Sequence, residues 1–380
     1  MSKTLASNVG AGLMAAVLLL SACTSDDNVS APPSTTGPPA AAAPTTAAPT
    51  TAAPTTTVPT TEAPTTEAPT TEVPATPRPV ATTLVPPPGP LFGIAVPEGR
   101  IETVVDIEGD VGQTFHLVRV FVRWEVDLAD TDVAQLQADG RAIHLSVRPV
   151  RADGTVIAWS DIAAAPEGSD LHDEMIRWAD DVIALGPDTR FTFNHEPETA
   201  ESTPNGVALD YRGAWRRMVE LVRLRGGEDI EMVWTVGSSV LRQPEGRAFY
   251  PGDDVVDVIG ADLYNWFTCQ GTDRPWVSFD DLLEPAVAFA AERGKPLALP
   301  EFASAADPAD PGRRAGWMDA AADVMAEWDP QERMGVELDY VAWFDVTAPG
   351  GTYPNCRWSH RTDVETERAF DRMARDLIGG

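Results

Sequence analysis

The sequence predicts an α/β chain: a (β/α)8 TIM barrel set behind an export leader and a disordered Pro/Thr-rich linker. Three observations carry that expectation. Of the 34 prolines, 17 fall in the first 90 residues, which are otherwise mostly Ala and Thr. The 291 residues from Pro90 to Gly380 hold all 11 tryptophans, enough apolar bulk for one large core. Within them, eight short apolar runs alternate with amphipathic stretches, the order of parallel strands each followed by a helix.

Residues 1–22 read as a signal peptide. Lys3 supplies a basic start, and the apolar run Val9–Leu20 is too short to span a bilayer. The ending Leu20-Ser21-Ala22-Cys23 resembles the lipobox of bacterial lipoproteins. That resemblance implies cleavage before Cys23, a lipid on Cys23, and an exported chain held to the cell membrane by that anchor alone. Residues 23–89 read as linker. Prolines recur every fifth residue from Pro44 to Pro74. At about 3.1 Å per residue, such a tether reaches up to roughly 200 Å.

The expected strands are, in order, Leu91–Val96, Leu117–Trp124, Ile143–Val150, Arg190–Asn194, Glu231–Val236, Val255–Asp262, Pro296–Pro300 and Tyr340–Phe344. They are short and rich in Val, Ile, Leu and Phe, as strands buried on both faces should be. Helices are expected at His172–Leu185, Tyr211–Leu224, Asp280–Arg293, Ala315–Trp328 and Val364–Ile378. In the last, Phe370, Met373, Ala374, Leu377 and Ile378 share one face. Gly226-Gly227 and Gly294 mark helix ends. A doubly wound open sheet is the alternative architecture. No Gly-x-Gly-x-x-Gly follows the first strand, so a dinucleotide site has no support.

The formal net charge is −30, of which the first 90 residues contribute −3. A barrel carrying the remaining −27 is a poor partner for nucleic acid or bare anionic lipid. A neutral polysaccharide or oligosaccharide suits it better, and a monomer is expected. Five scattered histidines with no His-x-x-x-His pair, and no phosphate-binding loop, point to neither metal nor organic cofactor.

In a barrel of this kind, chemistry sits where the strands end. The fourth strand runs into Asn194-His195-Glu196-Pro197-Glu198, and the seventh ends in Leu299-Pro300-Glu301-Phe302. An unpaired carboxylate is disfavoured at a buried strand. Two of them facing one cleft are what glycoside hydrolysis uses, one as proton donor and the other as nucleophile or base.

These stretches resemble glycoside hydrolase family 26, within the clan A barrel glycosidases, whose members are mostly β-mannanases. Arg190-Phe191-Thr192-Phe193-Asn194-His195-Glu196 is similar to its acid/base strand. Ala214-Trp215-Arg216-Arg217 and Val233-Trp234-Thr235 follow its next helix and strand. The most specific match runs from Tyr250-Pro251-Gly252-Asp253 to Asp262-Leu263-Tyr264-Asn265-Trp266. Pro300-Glu301-Phe302 and Ala342-Trp343-Phe344 complete it. The resemblance implies a retaining endo-β-glycosidase with Glu196 as acid/base and Glu301 as nucleophile. By it, His195 orders the site by hydrogen bonding and Tyr264 contacts the nucleophile. Trp343 forms the floor under the cleaved sugar, and Asn265 and Trp266 line the cleft. Arg123, at the end of the second strand, is a candidate to bind the nucleophile. Trp159, Trp276 and Trp358 are candidates for outer subsites.

The chain departs from many members after the acid. It reads Pro197-Glu198-Thr199 where they have Met-Asn-Gly with a tryptophan close behind, and no histidine follows the third strand, where Arg148-Pro149-Val150-Arg151 stands. The substrate therefore stays open between β-1,4-mannan-like chains and β-glucans. A catalytically silent carbohydrate-binding lipoprotein is the alternative function. Cys269 and Cys356 are the only cysteines after Cys23. They follow the sixth and eighth strands on one rim of an exported domain, so a disulfide between them is expected.

Overall fold

The structure, a computed structural model, describes residues 89–96, 99–267, 269, 274–346 and 356–379. The expected leader, the lipidation at Cys23 and the linker lie outside the described residues.

Eight parallel strands close into a barrel in sequence order. They are β1 (Leu91–Ala95), β2 (Leu117–Arg123), β3 (Ala142–Arg148), β4 (Thr189–Phe193), β5 (Glu231–Gly237), β6 (Val258–Asn265), β7 (Leu297–Ser304) and β8 (Leu338–Phe344). The helices, in order, are α1 (Ile101–Val111), α2 (Val133–Ala138), α3 (Trp159–Ala164), α4 (Asp170–Leu185), α5 (Ala208–Leu224), α6 (Pro244–Arg247), α7 (Phe279–Arg293), α8 (Gly312–Ala326) and α9 (Val364–Ile378). The open-sheet alternative is excluded, because β1 pairs with both β2 and β8. Of the helices, α1, α2, α3 and α6 were not among those expected. The first is rich in acidic side chains, and the other three are one or two turns long.

Strand alternation divides the barrel into two chemistries. Outward residues meet the helices and are apolar. On β8, Trp343 faces outward onto Phe302, Phe370 of α9 and the Arg314 guanidinium of α8. On β1, Phe92 meets Phe115 and Phe370. Each such buried side chain contributes about 1.5–3 kcal/mol of hydrophobic stabilisation. Inward residues include Arg119, His144, Arg190, Thr192, Thr235, Asp262, Glu301 and Tyr340, an interior of hydrogen-bonded polar groups rather than aliphatic layers.

That interior is built in levels. At the N-terminal end of the strands, Arg190 donates two hydrogen bonds to Asp339, at 3.0 and 2.9 Å, and pairs with Glu231 at 3.2 Å. Above it, His144 bridges Tyr340 and Thr192 at 2.7 and 2.8 Å. The Thr192 hydroxyl donates to the Val233 carbonyl at 2.6 Å, so it accepts from His144 Nε2–H, and Nδ1 accepts from the Tyr340 hydroxyl. Burial and the nearby Arg119 and Arg190 hold His144 well below the usual imidazole range, consistent with that neutral tautomer. Gly260 lets β6 close over this layer. A Cβ there would lie 2.5 Å from Thr235 Oγ1.

Candidate active site

The two expected glutamates lie just after β4 and within β7. Glu196 follows β4 with its backbone in the left-handed region, φ 46°, two residues after Asn194 at φ 47°. Such geometry is strained for residues with a side chain, by about 1–3 kcal/mol each, and persists only where neighbours enforce it. Here they do. Asn194 N–H donates to the Val147 carbonyl and Glu196 N–H to that of Thr235, at 2.8 and 2.9 Å. The Asn194 side chain accepts from Trp159 Nε1 at 3.0 Å and donates to Ser202 Oγ at 3.2 Å. The turn that presents Glu196 is thus pinned between β3, β5 and α3.

Glu301 lies within β7 rather than at its end, since the strand continues to Ser304. Register shifts between β7 and its two neighbours turn this stretch locally, and Glu301 is only 2% exposed. Tyr264 donates its hydroxyl to Glu301 Oε2, and Arg119 Nη2 lies 3.2 Å from Oε1. The same guanidinium reaches Asp262 at 3.2 Å and Ser146 Oγ at 3.4 Å. Burial and the negative charge of Glu301 push the Tyr264 phenol well above its ordinary range, so it stays a proton donor.

Burial, then the charges of Asp262, Glu198 and Glu301, push the Glu196 carboxyl well above the usual carboxylate range. Burial and Glu301 do the same to Asp262, against the opposing pull of Arg119. The site therefore sets Glu196, a carboxyl of raised pKa, opposite a Glu301 held by an arginine and a tyrosine. Surroundings that keep the proton on a carboxyl equip it to give that proton to a departing group.

Several expected site residues sit elsewhere. Trp343 is fully buried on the outer face of β8, so it cannot floor a sugar site. Its strand neighbour Phe344 has the inward parity and packs on Tyr264 at 5.7 Å. Asn265 is fully buried. It donates to Ser304 Oγ at 2.9 Å and accepts from Val277 N–H at 3.2 Å, bracing the strand ends instead of lining a cleft. His195 makes no side-chain hydrogen bond among the described residues. Its ring stands edge-on to Phe121 at 5.2 Å, and burial and Arg119 keep it well below its ordinary pKa. Arg123 is exposed and donates to the Ala152 carbonyl at 3.4 Å. The arginine on the carboxylate is Arg119, one strand turn deeper. Trp159 is fully buried against Asn194. Trp276 is half-buried beneath the Arg313 guanidinium, 4.3 Å from its ring.

Trp266 remains half-buried and joins Tyr264 at 5.1 Å and Trp358 at 5.2 Å in an aromatic wall beside Glu301. Cys269 and Cys356 form a disulfide that ties the segment after β6 to the one carrying Trp358. Arg119, Asp262 and Glu198 were not singled out from the sequence. The signal for Arg119 was present: an arginine in mid-run of Leu117-Val118-Arg119-Val120 has no place in an apolar strand without a partner.

Fold and site define a (β/α)8 barrel with one glutamate just after β4 and another within the C-terminal half of β7. Solved structures of glycoside hydrolases share this fold. A GH26 β-mannanase from Bacteroides ovatus superposes with a TM-score of 0.51 over 77% of this chain and 91% of its own, at 17% identity. A Cellulomonas fimi endo-β-1,4-mannanase gives 0.52 over 76% and 71%, at 19% identity. An endo-β-1,4-glucanase from Xanthomonas axonopodis pv. citri gives 0.53 over 75% and 99%, at 13% identity. Among curated proteins, Endoglucanase H of Acetivibrio thermocellus is 35% identical over 96 residues, 25% of this chain. The chain spans only 11% of that relative's length. No family model matches the chain.

Proposed function

We propose that this chain is a retaining endo-β-glycosidase, similar to the family 26 enzymes, that cleaves a β-1,4-mannan-like or β-glucan chain. The observation that carries the proposal is Glu301, buried and held by Arg119 and Tyr264, opposite a Glu196 whose surroundings keep its proton on. Glu301 attacks the anomeric carbon while Glu196 protonates the departing glycosidic oxygen. The covalent glycosyl-enzyme is then opened by water, from which Glu196, now a carboxylate, removes a proton. Arg119 and Tyr264 orient the nucleophile and disperse its charge. Trp266, half-buried, supplies an apolar face against which a pyranose ring stacks, with the buried Trp358 packed behind it. The protein works outside the cell, anchored through a lipid on Cys23, and acts as a monomer. The disulfide is in keeping with that oxidising location.

The test is an activity screen of the full chain against β-mannan, β-glucans and xylan, with the first-formed anomer read by NMR. Retained configuration from mannan or glucan supports the proposal. No hydrolysis of any of them, or an inverted product, overturns it. Intact-mass measurement of the membrane-extracted protein checks the anchor. A mature chain beginning at Cys23 and carrying diacylglycerol is expected, and a soluble unmodified chain would contradict it.

A further inference from the structure

One acidic side chain beside the site has no part in that mechanism. Glu198 follows Glu196 by two residues, across Pro197. Its Oε1 accepts the Gly237 N–H at 2.7 Å, at the end of β5. Its Oε2 is buried and accepts no hydrogen bond. Both glutamates approach Gly237 from the same side. A Cβ built on that glycine would lie 3.4 Å from Glu198 Oε1 and 3.8 Å from Glu196 Oε1. One oxygen of each carboxyl therefore lies within 4 Å of the same point over a bare patch of β5 backbone, and each glutamate's charge acts on the other's neighbourhood.

We propose that Glu198 is a positioning residue that acts through Glu196, forming with it a carboxyl dyad that keeps the donor proton on Glu196. The inference rests on the assignment of Glu196 as acid/base. Two carboxyls this close resist double ionisation, so at intermediate pH they hold one proton between them. The environment decides where it sits. Glu198 is moored by a backbone N–H, which favours its charged form. The Glu196 carboxyl accepts no hydrogen bond among the described residues and faces Asp262 and Glu301 as well as Glu198, with Arg119 the opposing cation. The proton therefore belongs on Glu196. The remaining groups around Glu198 are the Tyr211 phenol of α5 and Asp262 of β6, the first neutral and the second itself held toward protonation. Burial pushes Glu198 up to about 7, so the dyad titrates in the range where the enzyme would work. The tryptophan missing after the acid and the glutamate present at 198 are then two sides of one local change.

The sign follows directly. Activity needs Glu196 protonated and is lost as pH rises through the dyad's upper titration. Glu198→Gln keeps an oxygen for the Gly237 amide and removes the negative neighbour, so the alkaline limb of kcat/KM should move down by about one pH unit. Glu198→Asp should restore it in part. KM should change little, and substrates with poor leaving groups should suffer more than aryl glycosides with acidic phenols. An alkaline limb that stays in place in a folded Glu198→Gln enzyme overturns the inference. If that variant fails to fold, the dyad can be read from its other member. Carbon-13 NMR of glutamate-labelled wild-type protein, with the Glu196 signal assigned by its absence from Glu196→Gln, should show Glu198 ionising at lower pH than Glu196, and the reverse order overturns the proposal. The two claims fail separately: activity retained in Glu301→Ala removes the mechanism, whereas an unmoved limb removes only the role of Glu198.

Discussion

Arg190 and Arg119 are both buried inside the barrel, and their partners differ in number and in surroundings. Arg190 meets two carboxylates, Asp339 and Glu231, which lie 21% and 41% exposed at the N-terminal end. Water reaches those partners, the geometry with Asp339 is bidentate, and both carboxylates touch the guanidinium. Arg119 lies fully buried near the other end, with Asp262, Glu301 and Glu196 acting on it and Glu198 beyond. It pairs with Asp262 and Glu301, while Glu196 and Glu198 have no cation of their own among the described residues. At the N-terminal end both carboxylates are paired and hold strands together. Near the C-terminal end they are left in excess, and the excess is relieved by keeping protons. Barrels of this fold put stability at one end and chemistry at the other, and here the ratio of arginine to carboxylate tells the ends apart.

Breaking the comparison at its chemical end should have the largest effect. Glu301→Ala should lower kcat by more than about 10⁴-fold while leaving the melting temperature unchanged or higher, because it removes a buried charge from a crowded set. Glu196→Ala should be less severe on aryl glycosides with acidic phenols, and added azide should restore turnover by opening the glycosyl-enzyme. Calorimetry and kinetics on one preparation check both. Loss of stability together with activity in Glu301→Ala would mean that the residue is structural.

The disulfide comes next. It closes a loop of 87 residues, and replacing Cys269 and Cys356 together by Ala should cost about 4–5 kcal/mol in denaturant unfolding. A loss below about 1 kcal/mol would show that the two segments are held by their aromatic packing instead. Arg190→Ala follows, at about 3 kcal/mol, because it leaves carboxylates unpaired near the barrel floor. Its activity per folded molecule should match the wild type. A fall in kcat at full folding would break the division between the two ends.

The smallest expected effect concerns pH. Glu198 is raised in the folded protein from an ordinary value of 4.5 to about 7. The folded state thus holds more protons than the unfolded one across that window, and stability falls as pH rises through it. Glu198→Gln should therefore match the wild-type melting temperature near pH 4.5 and exceed it by a few degrees at pH 8. Equal melting temperatures of variant and wild type at both values would show that the charge of Glu198 carries no cost to the fold.

Much of this was legible in the chain. Eight apolar runs gave the strand order, and the glutamates beside the fourth and seventh runs pointed to the site, because a carboxylate at a buried strand needs a reason. What was missed turned on which way side chains point. Trp343 read as a sugar platform, yet its strand alternates, and Tyr340, Ala342 and Phe344 share the inward face that Tyr340 proves by meeting His144. Arg123 was a candidate because it ends its strand, and Arg119 passed unnoticed. The stagger of a closed barrel instead lets a residue in mid-strand on β2 reach the catalytic end of β7, and no local pattern encodes that stagger. Asn265 belonged to the most specific matching stretch and still proved to be a brace. Register, not residue type, separates it from Tyr264. Glu198 showed only as a departure from the family's pattern, and its meaning depends on Gly237, 39 residues away in sequence.

The central claim is that Glu301 attacks carbon while Glu196 gives the proton. It is tested most directly by incubating the enzyme with activated 2-deoxy-2-fluoro-mannosides and -glucosides and mapping the labelled peptide by mass spectrometry. The account predicts one fluoroglycosyl group, esterified to Glu301, with loss of activity in proportion to labelling. A label on Glu196, Glu198 or Asp262, or steady turnover of the fluoroglycosides by an enzyme that never becomes labelled, would contradict it.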